Sequence, residues 1–149
     1  MIIDLQALLS NAQALVATAA STNVYDAGSE REIGIGEPLS IVVVCKTAAD
    51  VGDADETYQI DVQVDSTDAF ASPRTVGSRA WTTAEATAEL TLGRKIVFAL
   101  PQDFPGNERC VRLYYTLGGT TPALTVSAFI VPTSFVEAWV SYPDAITIA

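Results

Sequence analysis

The chain contains no histidine, so it lacks the commonest general base, the usual partner of a nucleophilic Ser or Cys, and the commonest metal ligand. Chemistry would have to come from carboxylates, hydroxyls, two cysteines and aromatic rings. Asp50, Asp53, Asp55 and Glu56 could supply oxygens to a hard cation such as calcium. Their spacing is not that of an EF-hand loop, because Gly52 precedes Asp53 where that loop places its glycine later, and a solvated acidic loop is the expectation. Glu85 and Glu89 suggest a glycosidase carboxylate pair, but four residues apart on a strand they lie too far apart for a retaining mechanism. Serines and threonines are plentiful, yet no G-x-S-x-G and no partner base accompanies them. A cupin-type histidine cage cannot be built. Trp81, Tyr114 and Tyr58 would make a sugar-stacking platform only if exposed, and aromatics on sandwich strands usually belong to the core. The Gly34/Gly36 pair leads into a strand rather than a helix N-terminus, so it is no phosphate cradle. No cofactor, no metal and no enzymatic activity are expected.

The elements that would hold these residues fit one domain of 149 residues. Apolar residues make up 49% and charged residues 17%. So rich a core with so thin a charged surface predicts that other subunits cover part of the apolar excess. The net charge of −10 repels phosphate backbones, and the bases are scattered (Arg31, Lys46, Arg74, Arg79, Arg109, Arg112) apart from Arg94-Lys95. Nucleic acid is therefore not an expected partner. The opening Met1-Ile2-Ile3-Asp4 has no basic stretch, so no secretory signal is expected. The longest strongly apolar run, Ile41 to Cys45, is far short of the roughly 20 residues that cross a bilayer. Synthesis in the cytoplasm and no membrane partner are the expectations.

Residues 1–20 are Ala/Leu-rich with near-helical apolar spacing, and fit either a helix or an extended arm along a neighbouring subunit. From Ser21 onward strand signals dominate. Leu39 to Lys46 is apolar on both faces, so both should be covered. Tyr58, Ile60, Val62 and Val64 alternate with Gln59, Asp61, Gln63 and Asp65 as in a half-buried strand. Weaker signals cover Thr22 to Tyr25 and Arg74 to Trp81. Ala86 to Leu92 reads as a strand with Ala88, Leu90 and Leu92 inward, and Lys95 to Leu100 as the next. Val111, Leu113, Tyr115 and Leu117 share one face of a strand, and Leu124, Val126, Ala128 and Ile130 one face of another, with Phe129 outward. Cys45 and Cys110 fall inside strands and read as small buried hydrophobes; only neighbouring strands in register would let them form a disulfide. The count predicts an all-β jelly-roll sandwich of about eight antiparallel strands over 21–132, an N-terminal arm over 1–20 and a C-terminal extension over 133–149.

The segments ASTNVYDAG, IGIGEPLSIVVV, STDAFASP, LPQDFPGNERCVRLYYTLGG and TVSAFIV, with the opening MIID and SNAQAL, together resemble the capsid cement (decoration) proteins of short-tailed double-stranded DNA phages. The resemblance runs from about residue 1 to Val131; the aromatic segment after Pro132 goes beyond it. It implies a jelly roll on the outer surface of an icosahedral virion shell, clamping adjacent major capsid protein subunits as a homodimer or homotrimer. The residues expected to make those contacts are Leu5, Leu8, Leu9 and Leu15 near the N-terminus, outward-facing Phe129, and Phe135, Trp139 and Tyr142 in the C-terminal segment. The competing expectation is a carbohydrate-binding adhesion or receptor-binding jelly roll, using Trp81 and the loop Phe104-Pro105-Gly106-Asn107.

Overall fold

The computed structural model describes residues 5–28, 37–102, 104–105 and 107–136. Alternating apolar runs separated by turn residues fold into two antiparallel sheets. After a 3-10 turn at Leu5–Ala7, the strands are β1 (Leu8–Leu15), β2 (Ala19–Ala20), β3 (Tyr25–Asp26), β4 (Leu39–Cys45), β5 (Thr57–Asp65), β6 (Arg74–Trp81), β7 (Lys95–Ala99), β8 (Cys110–Gly118) and β9 (Leu124–Pro132). Helix α1 (Thr83–Glu89) lies between β6 and β7, and α2 (Thr133–Val136) follows β9.

One sheet runs β1-β9-β4-β7, the other β2-β8-β5-β6 with β3 also on β8. The short β2 and β3 share one strand position, which leaves eight positions. The pairs β1·β9, β4·β7, β5·β6 and β2/β3·β8 nest inside one another along the chain. Such nesting is a long hairpin rolled into two layers, the jelly roll expected from the sequence.

The core lies between the layers and comes from the predicted alternation. Ile41, Val43, Cys45, Val126, Ala128 and Ile130 meet Tyr58, Ile60, Val62, Val64, Val111, Leu113 and Tyr115 across the gap. Cys45 and Cys110 are both buried and free, in strands of different sheets. Burial pushes the Cys45 thiol up to about 11, although the Arg94 charge pulls the other way.

Two expectations are corrected. Residues 8–20 are no detached arm: β1 pairs along β9, and Leu9 and Leu15 are buried in the inter-sheet core. Their periodicity misleads because β1 carries register shifts between Leu8 and Ser10 and between Ser10 and Gln13, with Ala12 at φ +46°. Each bulge resets which side chains face inward. Ser10 is thereby turned inside, where its hydroxyl bonds the Tyr115 hydroxyl at 2.8 Å and donates to Gln13 Oε1 at 2.8 Å. Gln13 Nε2 in turn donates to the Ala20 carbonyl at 2.8 Å. This buried polar chain links β1 to the opposite sheet.

The second correction is α1. Ala86 and Leu90 are buried as an inward face requires, but Ala88 and Leu92 are exposed and the segment is helical. Thr82 and Glu85 form a capping box, which satisfies the first backbone donors of a helix. The T-x-x-E signal stood in the sequence, beneath an apparent alternation of Ala and Thr. Glu89 then ties the helix back to β6, pairing with Arg79 and accepting from Trp81 Nε1 at 2.9 Å.

Leu15→Ala should cost about 3 kcal/mol in denaturant unfolding, the order seen when a buried leucine leaves a cavity; an arm residue would change stability little. Because the folded Cys45 thiol titrates above its ordinary value, its neutral form stabilises the fold below pH 9.0, and that contribution fades as pH rises towards about 11. Stability measured across this range should fall less steeply in Cys45→Ala than in the parent chain.

Candidate functional site

The carboxylates singled out in the sequence are structural ties. Glu56 is fully buried; its carboxylate accepts the Asp53 amide at 2.8 Å and the Asp55 amide at 3.2 Å. Asp55 accepts from the Thr120 amide and hydroxyl, both at 2.9 Å, and Asp53 from the Thr121 hydroxyl at 3.0 Å. Asp50 accepts the Gly52 amide at 3.0 Å. The loop 49–56 is thus pinned to the β8–β9 turn, with Asp50, Asp53 and Asp55 exposed to solvent as expected and Glu56 buried. Gly119 sits in that contact at φ +91°, where a Cβ would come 2.5 Å from the Asp55 carbonyl. The hydrogen bonds from Thr120 hold the Asp55 carboxyl below the ordinary range.

Glu85 caps its own helix and Glu89 holds Arg79 and Trp81. Trp81 and Tyr58 are buried, as is Phe104, whereas Tyr114 is half-buried. A shallow groove of about 230 Å³ lined by Thr57, Gln59, Trp81, Thr82, Glu85 and Thr116 opens beside α1. Its Glu85 carboxylate already accepts two bonds from Thr82.

The outer faces of the two sheets differ. On the five-stranded sheet, Asp61 accepts from Gln59 Nε2 and the Ser78 hydroxyl, and Arg112 Nε donates to Gln63 at 2.9 Å. The Arg112 guanidinium stacks over Phe70, 4.1 Å from the ring centroid. That is a polar face, half-buried beneath its own hydrogen-bonded side chains and Phe70.

The four-stranded sheet instead turns apolar side chains outward. Pairing places Leu8, Phe129, Val42 and Val97 in one row across β1, β9, β4 and β7. Val131 lies on the same face beside Ser40, and Val44 beside Ser127. Val42, Val44, Phe129, Val131 and Val136 form a second buried cluster with half-buried Leu8 against it. The cover comes from α2, held by the Thr133 amide on the Pro38 carbonyl, by the Ser40–Thr133 hydroxyl pair, and by Lys95 Nζ donating to the Val136 carbonyl at 2.6 Å. At the margin, Val97 is 42% and Phe135 50% exposed.

Of the residues expected at an interface, Leu8, Phe129 and Phe135 are therefore associated with this face, though Phe129 is covered by the chain itself. Leu9 and Leu15 point into the core and cannot reach a partner. Leu5 lies in the turn before β1, and Trp139 and Tyr142 fall outside the described residues. Val97 was not among the residues expected there; its signal was an apolar outward residue on the short run Lys95 to Leu100.

A family model described as Bbp16 matches residues 9–130. No curated protein matches the chain. The matched span opens inside β1 at Leu9 and closes inside β9 at Ile130, so it takes in both rims of the four-stranded sheet's central pairing and treats β1 as part of the domain.

Because hydrogen bonds depress the Asp55 pKa, its ionised form stabilises the fold above the ordinary value of 3.8 and that contribution is lost as pH falls below it. Asp55→Asn should flatten the fall in stability across this acid range and lower stability at neutral pH.

Proposed function

We propose that this chain, which belongs to the Bbp16 family, is a capsid cement (decoration) protein of a short-tailed double-stranded DNA phage. It binds the outer surface of the icosahedral shell, clamps adjacent major capsid protein subunits, and acts as a homo-oligomer. The observation that carries this reading is the apolar outer face of the four-stranded sheet, on which α2 packs and at whose margin Val97 and Phe135 are exposed. A jelly roll that worked alone in water would turn polar residues outward there, as its other sheet does. Two further features support it. Glu56, Glu85, Glu89, Trp81 and Tyr58 are engaged within the fold, and the net charge of −10 favours a location away from the genome.

A single contact at such a margin is modest, since ordering and desolvation offset most of the gain from burial. Copies held together present several contacts at once, and the linked contacts raise the effective concentration of each. Strong attachment then needs no catalytic or charged hot spot.

The purified chain, mixed with expanded shells of its major capsid protein, should co-sediment saturably at a fixed copy number per shell and raise the temperature at which shells disrupt. Phe135→Ser should weaken that binding by about tenfold or more, the loss expected from removing one aromatic anchor, while leaving the unfolding midpoint nearly unchanged. No binding to intact expanded shells would overturn the reading.

A further inference from the structure

A sheet edge is a row of unpaired amides and carbonyls, and folded proteins blunt such edges with bulges, charges, short strands or covers. Among the described residues, three of the four edge positions of this sandwich are treated that way. β1 carries two register shifts. β2 and β3 are two residues each. β6 is bulged opposite Val62/Gln63, carries Arg74 and Arg79, and is flanked by α1 through the Glu89 ties. Among the described residues, β7 has neither a bulge in its pairing with β4 nor a strand on its other side.

The register fixes which groups β7 offers. Leu100 donates to the Leu39 carbonyl, and Cys45 donates to the Arg94 carbonyl. In the continuous β4·β7 ladder, the residues that share this phase, Ile96 and Phe98, direct their backbone groups to β4. Val97 and Ala99 direct theirs away from the sheet. Both are exposed, and Val97 is the middle residue of the five-residue strand.

We propose that β7 pairs antiparallel with β7 of a second copy, about a two-fold axis through Val97. The self-association in the reading above is thereby given a surface and a symmetry; the proposal rests on that reading for its homo-oligomer but not for shell binding. In this register Val97 opposes the partner's Val97, and the two exchange both backbone hydrogen bonds as an isologous contact requires. Lys95 opposes the partner's Ala99, so no like charges meet. The apolar row Leu8–Phe129–Val42–Val97 then runs unbroken into its symmetry mate, and the exposed part of Val97 is covered by its counterpart. A slip by one residue would set Val97 against the partner's Ile96 or Phe98, whose backbone groups are committed to β4, so that register forms no ladder.

The test is the mass of the purified full chain in solution, by sedimentation or light scattering without shells. The parent chain should be a dimer. Val97→Pro removes an outward amide without taking a bond from β4, the edge position where proline is tolerated, and should give a monomer with unchanged circular dichroism. If that variant fails to fold, Val97→Glu decides, because it sets like charges directly opposite each other and should also give a monomer. Val97→Cys should form a covalent dimer on mild oxidation, since paired Cα atoms lie about 5.5 Å apart in such a ladder. Val16→Cys, at a position 74% exposed on the chain segment leaving β1, should not. A monomeric parent chain at its highest soluble concentration, or Val97→Pro and Val97→Glu variants that remain dimers, would overturn the proposal. Shell binding is read separately, so a monomer that still binds shells would refute the β7 pairing alone.

Discussion

Five consecutive side chains of β4, Ile41 to Cys45, are buried, and the architecture follows from the need to cover both faces of that one strand. On the inner face, Ile41, Val43 and Cys45 require the opposing sheet. On the outer face, Val42 and Val44 require a third layer, which α2 begins to supply through Val136. Each fully covered aliphatic side chain gains about 1.5–3 kcal/mol over an exposed one, so leaving the outer set bare would cost a large part of a domain's net stability. Among the described residues Val97 and Phe135 are exposed at the margin of this face, and on them the functional reading turns.

The acidic composition has a second meaning in the folded chain. Glu56, Asp61, Asp65 and Glu108 are buried, and each accepts hydrogen bonds. Asp65 receives the Ser66 and Ser72 amides, which close the loop carrying Phe70. Glu108 takes both a 2.7 Å and a 2.5 Å bond from Arg74. In a chain with few bases, backbone amides and hydroxyls do the work that ion pairs do elsewhere. A buried carboxylate stripped of these donors would be costly, which makes the loop conformations mutually dependent. Under the proposed function, the net charge of −10 disfavours nucleic acid and the contact falls to apolar groups.

Much of the sandwich was legible because its central strands obey period two. β5, β8 and β9 carry their core residues on the faces that alternation assigns, and the doubly apolar run at β4 correctly implied two covering layers. Legibility failed where local geometry breaks the period. The bulges of β1 made an edge strand resemble a helix or a free arm, so Leu9 and Leu15 were assigned to a surface they cannot reach. At α1 the capping pair Thr82 and Glu85 outweighed the Ala/Thr alternation, and the helix brought Glu89 to Arg79 and Trp81, a pairing no spacing rule suggests. Val97 passed unnoticed because its importance comes from the order of strands, which places β7 at a rim, and not from its own neighbours in sequence.

The central claim is that the outer face of the four-stranded sheet, from α2 to the β7 rim, is the working surface. Hydrogen exchange of the backbone amides, compared between the free chain and the chain bound to expanded shells, tests it most directly. The account predicts new protection concentrated at residues 133–136, with the polar outer face around Gln59 to Gln63 unchanged. Protection confined to that polar face, with residues 133–136 exchanging as in the free chain, would contradict it.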